Sequence, residues 1–324
     1  MKRIISAFIC VLVFILSSCD YPAVPINETG ENQNGEIKTE EADAALREPL
    51  AEQQNEKKEP EEKLDTAEQK PKTAEQKPAA NQEKPVAAAK ALDRTKHGFG
   101  YSPNSEHKQV SIGKKYEDMM TAYGAFFIDR ANTANIYLTM DEGYENGYTP
   151  AILDTLREKG VPCTFFVTKP YLDKNPALVK RMIDEGHTVG NHSVNHKSMP
   201  TLTDEEAKKE ITVLHDEVLA KFGYSMKYFR PPMGEYSQAS LYTAQSLGYR
   251  SVFWSFAYRD WETNNQKGKD YAVESVEKGI HNGCILLLHA VSKDNAEGLG
   301  EIIDRLRAKG YVFSSLDRIV CRKE

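Results

Sequence analysis

The sequence predicts an α/β fold, a small and irregular β/α barrel behind a long disordered tether. The first observation is a split composition. In a chain of 324 residues, the segment from 20 to about 96 is dominated by Glu, Lys, Gln, Ala and Pro, whereas the rest carries regularly spaced apolar residues. The second is alternation: from Asn135 onward, short apolar runs are followed by amphipathic stretches of about ten residues or more, the pattern of a mostly parallel sheet. Six or seven such units in roughly 190 residues fit a barrel better than an open doubly wound sheet. The third is that each apolar run ends in residues that carry chemistry. The C-terminal ends of parallel strands share one face, where such folds place their sites.

From the N-terminus, Lys2 and Arg3 precede an apolar stretch from Ile4 to Leu16, which reads as a secretion signal over 1–18 and is too short for a mature spanning helix. The string Leu16-Ser17-Ser18-Cys19 looks like a lipobox, with Cys19 lipidated after cleavage; ordinary cleavage, with Cys19 incidental, is the competing reading. A diacylglyceryl group brings two acyl chains, enough for stable anchoring. The tether, 19–96, contains TAEQKP twice between Thr66 and Pro78 and too few apolar residues to offset its ordering entropy. As a flexible coil of roughly 75 residues it would reach on the order of 45–50 Å. A marginal Glu/Lys helix would serve equally as a spacer.

Residues 97–134 form a lead-in to the catalytic domain, 135–324. Within that domain, Thr149-Pro150 reads as an N-cap and first helical residue, with Gly160 as the stop. Cys163–Val167 is a strand, and Asn175-Pro176 opens a helix ending at Gly186. Thr203 and Glu206 form a capping box for a third helix that ends at Gly223. Leu241–Leu247 and Ala272–Gly279 give two more, and Asn295 caps a last helix running to Lys309-Gly310. A net charge of −6 argues against a nucleic-acid partner. Cys163, Cys284 and Cys321 lack metal-like spacing, and the first two read as buried free thiols.

The chemistry follows from the strand ends. His192 and His196, at i and i+4, converge on one ion if the segment between them is helical or turn-like. Asp141-Glu142 supplies two carboxylates; beside a metal, one can ligate while the other takes a proton from water. Arg230, stiffened by Pro231-Pro232, would keep a neighbouring carboxylate ionised and oriented. Asp260 would orient a histidine, and His289 is either a core residue or a general acid. His97, His107, His187, His215 and His281 lack such company and read as structural or surface residues. The whole points to a metal-dependent hydrolase.

The ordered set TMDEGY (139–144), HSVNH (192–196), RPPMG (230–234), DW (260–261) and LLLH (286–289) resembles the NodB-type polysaccharide deacetylases, carbohydrate esterase family 4. The longer strings DEGYENGYTP, GNHSVNH, FWSFAYRDW, NNQKGK and SKDNAEGL are more specifically similar to the delta-lactam-biosynthetic, muramic acid de-N-acetylases of spore-forming bacteria. The resemblance implies a distorted β/α barrel. It implies Asp141 as general base, His192 and His196 as ligands of a divalent metal, zinc first, and Arg230 as the residue that positions Asp141. It further implies that the Met233 N–H holds the oxyanion, that Asp260 tunes His289 as general acid, and that Tyr144 and Trp261 contact substrate. Most of the family has Asp where this chain has Glu142, and the branch tends to have Asn, so the third metal ligand is open.

The resulting expectation is an extracytoplasmic, lipid-anchored monomer that removes acetyl from N-acetylmuramic acid in peptidoglycan strands, feeding muramic delta-lactam of spore cortex. A glucosamine-directed peptidoglycan or chitooligosaccharide deacetylase is the rival within the same chemistry. A catalytically inactive wall-binding lipoprotein, favoured only by Glu142, is the rival outside it.

Overall fold

The structure, a computed structural model, describes residues 92–103 and 106–319. The signal, Cys10, the lipobox cysteine Cys19, nearly all of the expected tether and Cys321 lie outside the described residues. In chain order the elements are β1 (His97–Gly98), α1 (Lys114–Ala122), β2 (Asn135–Glu142), α2 (Thr149–Lys159), β3 (Cys163–Val167), α3 (Lys169–Lys174), α4 (Pro176–Asp184), β4 (Thr188–Asn191), α5 (Asp204–Phe222), β5 (Tyr228–Phe229), β6 (Glu235–Tyr236), α6 (Gln238–Ser246), β7 (Arg250–Ser251), α7 (Lys269–Gly279), β8 (Ile285–His289), α8 (Lys293–Ala308) and β9 (Val312–Phe313).

Strands run in the order β7-β5-β4-β3-β2-β8 in one seven-stranded sheet, with β9 paired to the start of β2. Every pairing in that sheet is parallel. The curl brings the two edges together, because Phe256 beyond β7 bridges to Leu286 of β8 and Phe126 bridges to Val252. This is the curled, distorted β/α barrel expected from the sequence. Its strands are buried on both faces, as parallel strands covered by helices must be. Ile136, Leu138 and Met140 of β2 join Phe165 and Val167 of β3 in the core beneath the helices. Tyr137 and Phe166, one residue out of phase, face inward with Tyr228, Val252 and Ile285.

Local details depart from expectation in instructive ways. Asp93 through Lys96 belong to the folded part: the Asp93 carbonyl accepts the Ala239 N–H at 3.0 Å, and Lys96 pairs with Glu235 at 2.9 Å. Thr149 is the first residue of α2 and not its cap, since its hydroxyl accepts the Tyr171 phenol at 3.3 Å. The Thr203/Glu206 capping box is present, and a second box, Ser237 with Ser240, starts α6 three residues earlier than the apolar pattern suggested. Ser292, not Asn295, caps α8. Cys163 and Cys284 are buried free thiols, and burial pushes the Cys284 thiol up to about 12.

Candidate active site

Asp141 and His289 are direct register partners on β2 and β8, so parallel pairing alone places both on one face at the strand ends. Arg230 follows β5, and its guanidinium, wholly buried, reaches back across the barrel interior. Nη1 donates to Asp141 Oδ1 at 2.7 Å, Nη2 to Thr139 Oγ1 at 2.9 Å and Nε to the Val252 carbonyl at 3.2 Å. The guanidinium carbon sits 4.1 Å from the centre of the Phe166 ring. That ring needs Gly190 opposite it, where a Cβ would come within 2.6 Å of its atoms. Removing two charges from water costs several kcal/mol per ion unless the pairing and hydrogen bonding are good. Here the partners are in place. Burial would raise the Asp141 carboxyl, yet the Arg230 charge foremost, with His192 and His289, holds it below the usual carboxylate range.

His192 and His196 lie on the loop after β4, which is a turn and not a helix: Ser193 (φ 73) and His196 (φ 53) both adopt left-handed backbone. The turn is pinned by hydrogen bonds to Asn191, Ser193 and the buried Glu210 of α5. Glu210 accepts the Asn195 N–H and Nδ2, both at 2.7 Å. The two imidazole centres are 4.8 Å apart. Burial lowers both pKa values, that of His196 to about 4, so both rings are neutral and offer lone pairs. His192 Nδ1 donates to the Arg230 carbonyl at 2.9 Å, which leaves Nε2 as an acceptor facing Asp141 Oδ2 at 3.5 Å. Two acceptors opposed without a hydrogen between them are what a cation relieves, and a ligating histidine ordinarily donates its other nitrogen in this way. The two imidazoles therefore fit a divalent metal.

Glu142 does not join them. It is the next residue along β2 and so falls on the opposite face, in register with Val167 on the side covered by helices. Its side chain is fully buried, and neither oxygen makes a hydrogen bond. Burial, then the charges of Glu145 and Asp141, push its carboxyl well above the usual range. An ionised, unpaired carboxylate there would cost several kcal/mol, so Glu142 is held neutral. Of the alternatives left open for Glu142, strand alternation selects the one in which it points away from the two imidazoles. Among the described residues no group of three His, Cys, Asp or Glu forms a complete metal cage.

Opposite the base lies a second ionisable pair. His289 Nδ1 donates to Asp260 Oδ1 at 2.7 Å, and the His289 N–H to Oδ2 at 2.7 Å. Burial would lower the His289 pKa, but the charge and hydrogen bond of Asp260 raise it above the ordinary value. Trp261 stands edge-on to the His289 ring at 5.4 Å between centres. Tyr144, Met233 and Trp261 are each about half exposed, large apolar side chains carried on loops that follow these strands or, for Met233, the Arg230 segment. Met233 (φ 57) and Gly234 (φ 66) are consecutive left-handed residues; at Gly234 a Cβ would lie 2.8 Å from Trp254. Thr139, Asn191, Glu210 and Asn295 were not read as site residues, because each acts by holding another residue. The histidines read as structural behave so where bonded: His187 Nδ1 accepts the Cys163 N–H at 3.3 Å.

Known proteins share this sequence and fold. The family model described as polysaccharide deacetylase matches residues 129–252. The chain is 46% identical over 226 residues to an uncharacterized 30.6 kDa protein of Geobacillus stearothermophilus, covering 69% of this chain and 85% of that one. It is 42% identical over 239 residues to the peptidoglycan-N-acetylmuramic acid deacetylase PdaA of Bacillus subtilis, covering 74% of this chain and 91% of the relative. The solved structure of that protein, described as a family 4 carbohydrate esterase, superposes with a TM-score of 0.69 at 41% identity, over 72% of this chain and all (100%) of that one. A family 4 carbohydrate esterase from Bacillus anthracis gives a TM-score of 0.61 at 43% identity, over 71% and 98% of the two chains. This chain belongs to the polysaccharide deacetylase family of carbohydrate esterases, metal-dependent hydrolases that act on amide bonds.

Proposed function

We propose that the protein removes the acetyl group from N-acetylmuramic acid in peptidoglycan. The observation that carries the chemistry is the arrangement of a charge-held carboxylate, Asp141, and a carboxylate-held histidine, His289, on neighbouring strands beside two neutral imidazoles. The similarity to the muramic acid deacetylase supports the sugar.

In this reading His192 and His196 hold a divalent cation, zinc by preference, which when bound polarises the acetamide carbonyl and lowers the pKa of water. Asp141, kept ionised by Arg230, takes the proton of the attacking water. The Met233 N–H faces the oxygen that becomes negative. His289, kept protonated by Asp260, delivers its Nε2 proton to the leaving amine, and acetate departs. Trp261 and Tyr144 wall the sugar. Product muramic acid with a free amine next to its lactyl group is the precursor that delta-lactam closure requires, which suits a role in spore cortex. A lipid on Cys19 would anchor a monomeric enzyme outside the cytoplasm, with the tether carrying it into the wall.

Mass spectrometry of muropeptides tests this, after incubation of the protein with peptidoglycan freed of stem peptides, with and without a chelator. Chelator-sensitive acetyl loss from muramic residues is expected. Loss from glucosamine alone would move the substrate and keep the chemistry.

A further inference from the structure

We propose that Asn295, in the first turn of α8, is the positioning residue of the proton-donating half of the site: its amide fixes the Asp260 carboxylate and, through it, the His289 ring. The inference rests on the reading of Asp260 and His289 as the acid pair.

Asn295 is fully buried, and only one amide orientation satisfies its surroundings. Nδ2 donates to Asp260 Oδ2 at 2.6 Å and to the His289 carbonyl at 3.2 Å, both acceptors, while Oδ1 accepts from the Tyr258 hydroxyl. Burial pushes the Tyr258 phenol far up, so it remains protonated and donates. Reversing the amide would set its oxygen against two acceptors. Asp260 is thereby fixed at both oxygens: Oδ1 accepts His289 Nδ1, and Oδ2 accepts both the His289 N–H and Asn295. A carboxylate so held cannot rotate, and the imidazole keeps the tautomer that leaves Nε2 toward the cleft.

The rest of the same helical turn serves this one end. Ser292 Oγ accepts the Asn295 N–H at 3.2 Å, so the cap is filled and the Asn side chain is free for other work. Gln266 donates to the Asp260 carbonyl at 3.0 Å and accepts from Ser292 Oγ at 2.7 Å. Asp294 Oδ2 accepts the N–H groups of Lys267 and Gly268 at 2.8 and 2.7 Å. The turn that holds Asp260 thus also clamps the 260–268 loop that follows it.

The test uses the full chain with 15N-labelled histidine, comparing wild type with Asn295→Asp, Asn295→Ala and Tyr258→Phe. The His289 Nδ1–H resonance should move upfield and exchange faster in both position-295 variants. The kcat for acetate release from peptidoglycan freed of stem peptides should fall roughly ten- to hundredfold with KM within about twofold. Tyr258→Phe should show a smaller loss in the same direction. Asn295→Asp is nearly isosteric, so with Tyr258→Phe it decides the matter even where Asn295→Ala does not fold. An unchanged His289 resonance in Asn295→Asp, or a raised KM with intact kcat, would overturn the proposal. The resonance needs no substrate; a wild-type chain that released no acetate from this glycan would count against the muramic reading and leave the role of Asn295 to be settled by the spectrum.

Discussion

The two halves of the site solve the same problem by different means. The base, Asp141, is held by Arg230, a cation that does not titrate in the working range, at the end of a central strand with no room to move. The acid, His289, is partly exposed and is held by Asp260, itself anchored by a helix turn and a loop. A base must be ionised whenever substrate arrives, so a permanent charge suits it. An acid must be reloaded with a proton after each turnover, so it needs contact with solvent. The base is held from across the sheet by Arg230, and the acid by the 260–268 loop and the first turn of α8.

Breaking the base side should have the largest effect. Asp141→Asn keeps the shape and removes the proton acceptor, and acetate release should fall by roughly 10²- to 10⁴-fold. An unchanged rate would show that the base lies elsewhere. On the acid side, Asp260→Asn should lower the rate less at acidic pH than at alkaline pH. Asp260 holds the His289 pKa above its ordinary value, so the alkaline limb of the wild-type profile should lie above about pH 6.5 and move down in the variant. The same raised pKa contributes stability that is present below the unfolded value and lost as pH rises through the folded one; in Asp260→Asn, where burial still pulls the His289 pKa down, this dependence should weaken or reverse in pH-resolved thermal melts.

The smallest effect tests Glu142, the third carboxylate, which belongs to neither half. Glu142→Gln should leave metal affinity within about twofold, because the side chain faces the helix-covered side of β2. A carboxyl whose folded pKa is raised loses stability as pH rises from its unfolded value toward its folded one. The amide variant should therefore gain stability on wild type over that window. A large fall in metal affinity by calorimetry would place Glu142 in the metal site after all.

Much of this was legible beforehand for identifiable reasons. β3 is a five-residue apolar run with the bounds expected of it, and the α5 capping box is a local pattern whose partners lie three residues apart. Asp141, His192, Arg230, Asp260 and His289 were found because each follows an apolar run. Asn295 was read as a cap because Asn at a helix start usually is one; Ser292, three residues earlier, fills that role in the structure. Glu142 was ambiguous because adjacent residues at a strand end share a motif yet not a face.

By itself, then, the sequence determined the alternation of strands and helices, the helix stops and the chemical types at the strand ends, all set by local periodicity and backbone preference. Tertiary structure alone decided which carboxylate faces the cleft and which amide holds the acid in place. Those outcomes depend on strand register and on partners far apart in the chain, 89 residues for Asp141 and Arg230 and 35 for Asp260 and Asn295, and no local pattern encodes such pairings.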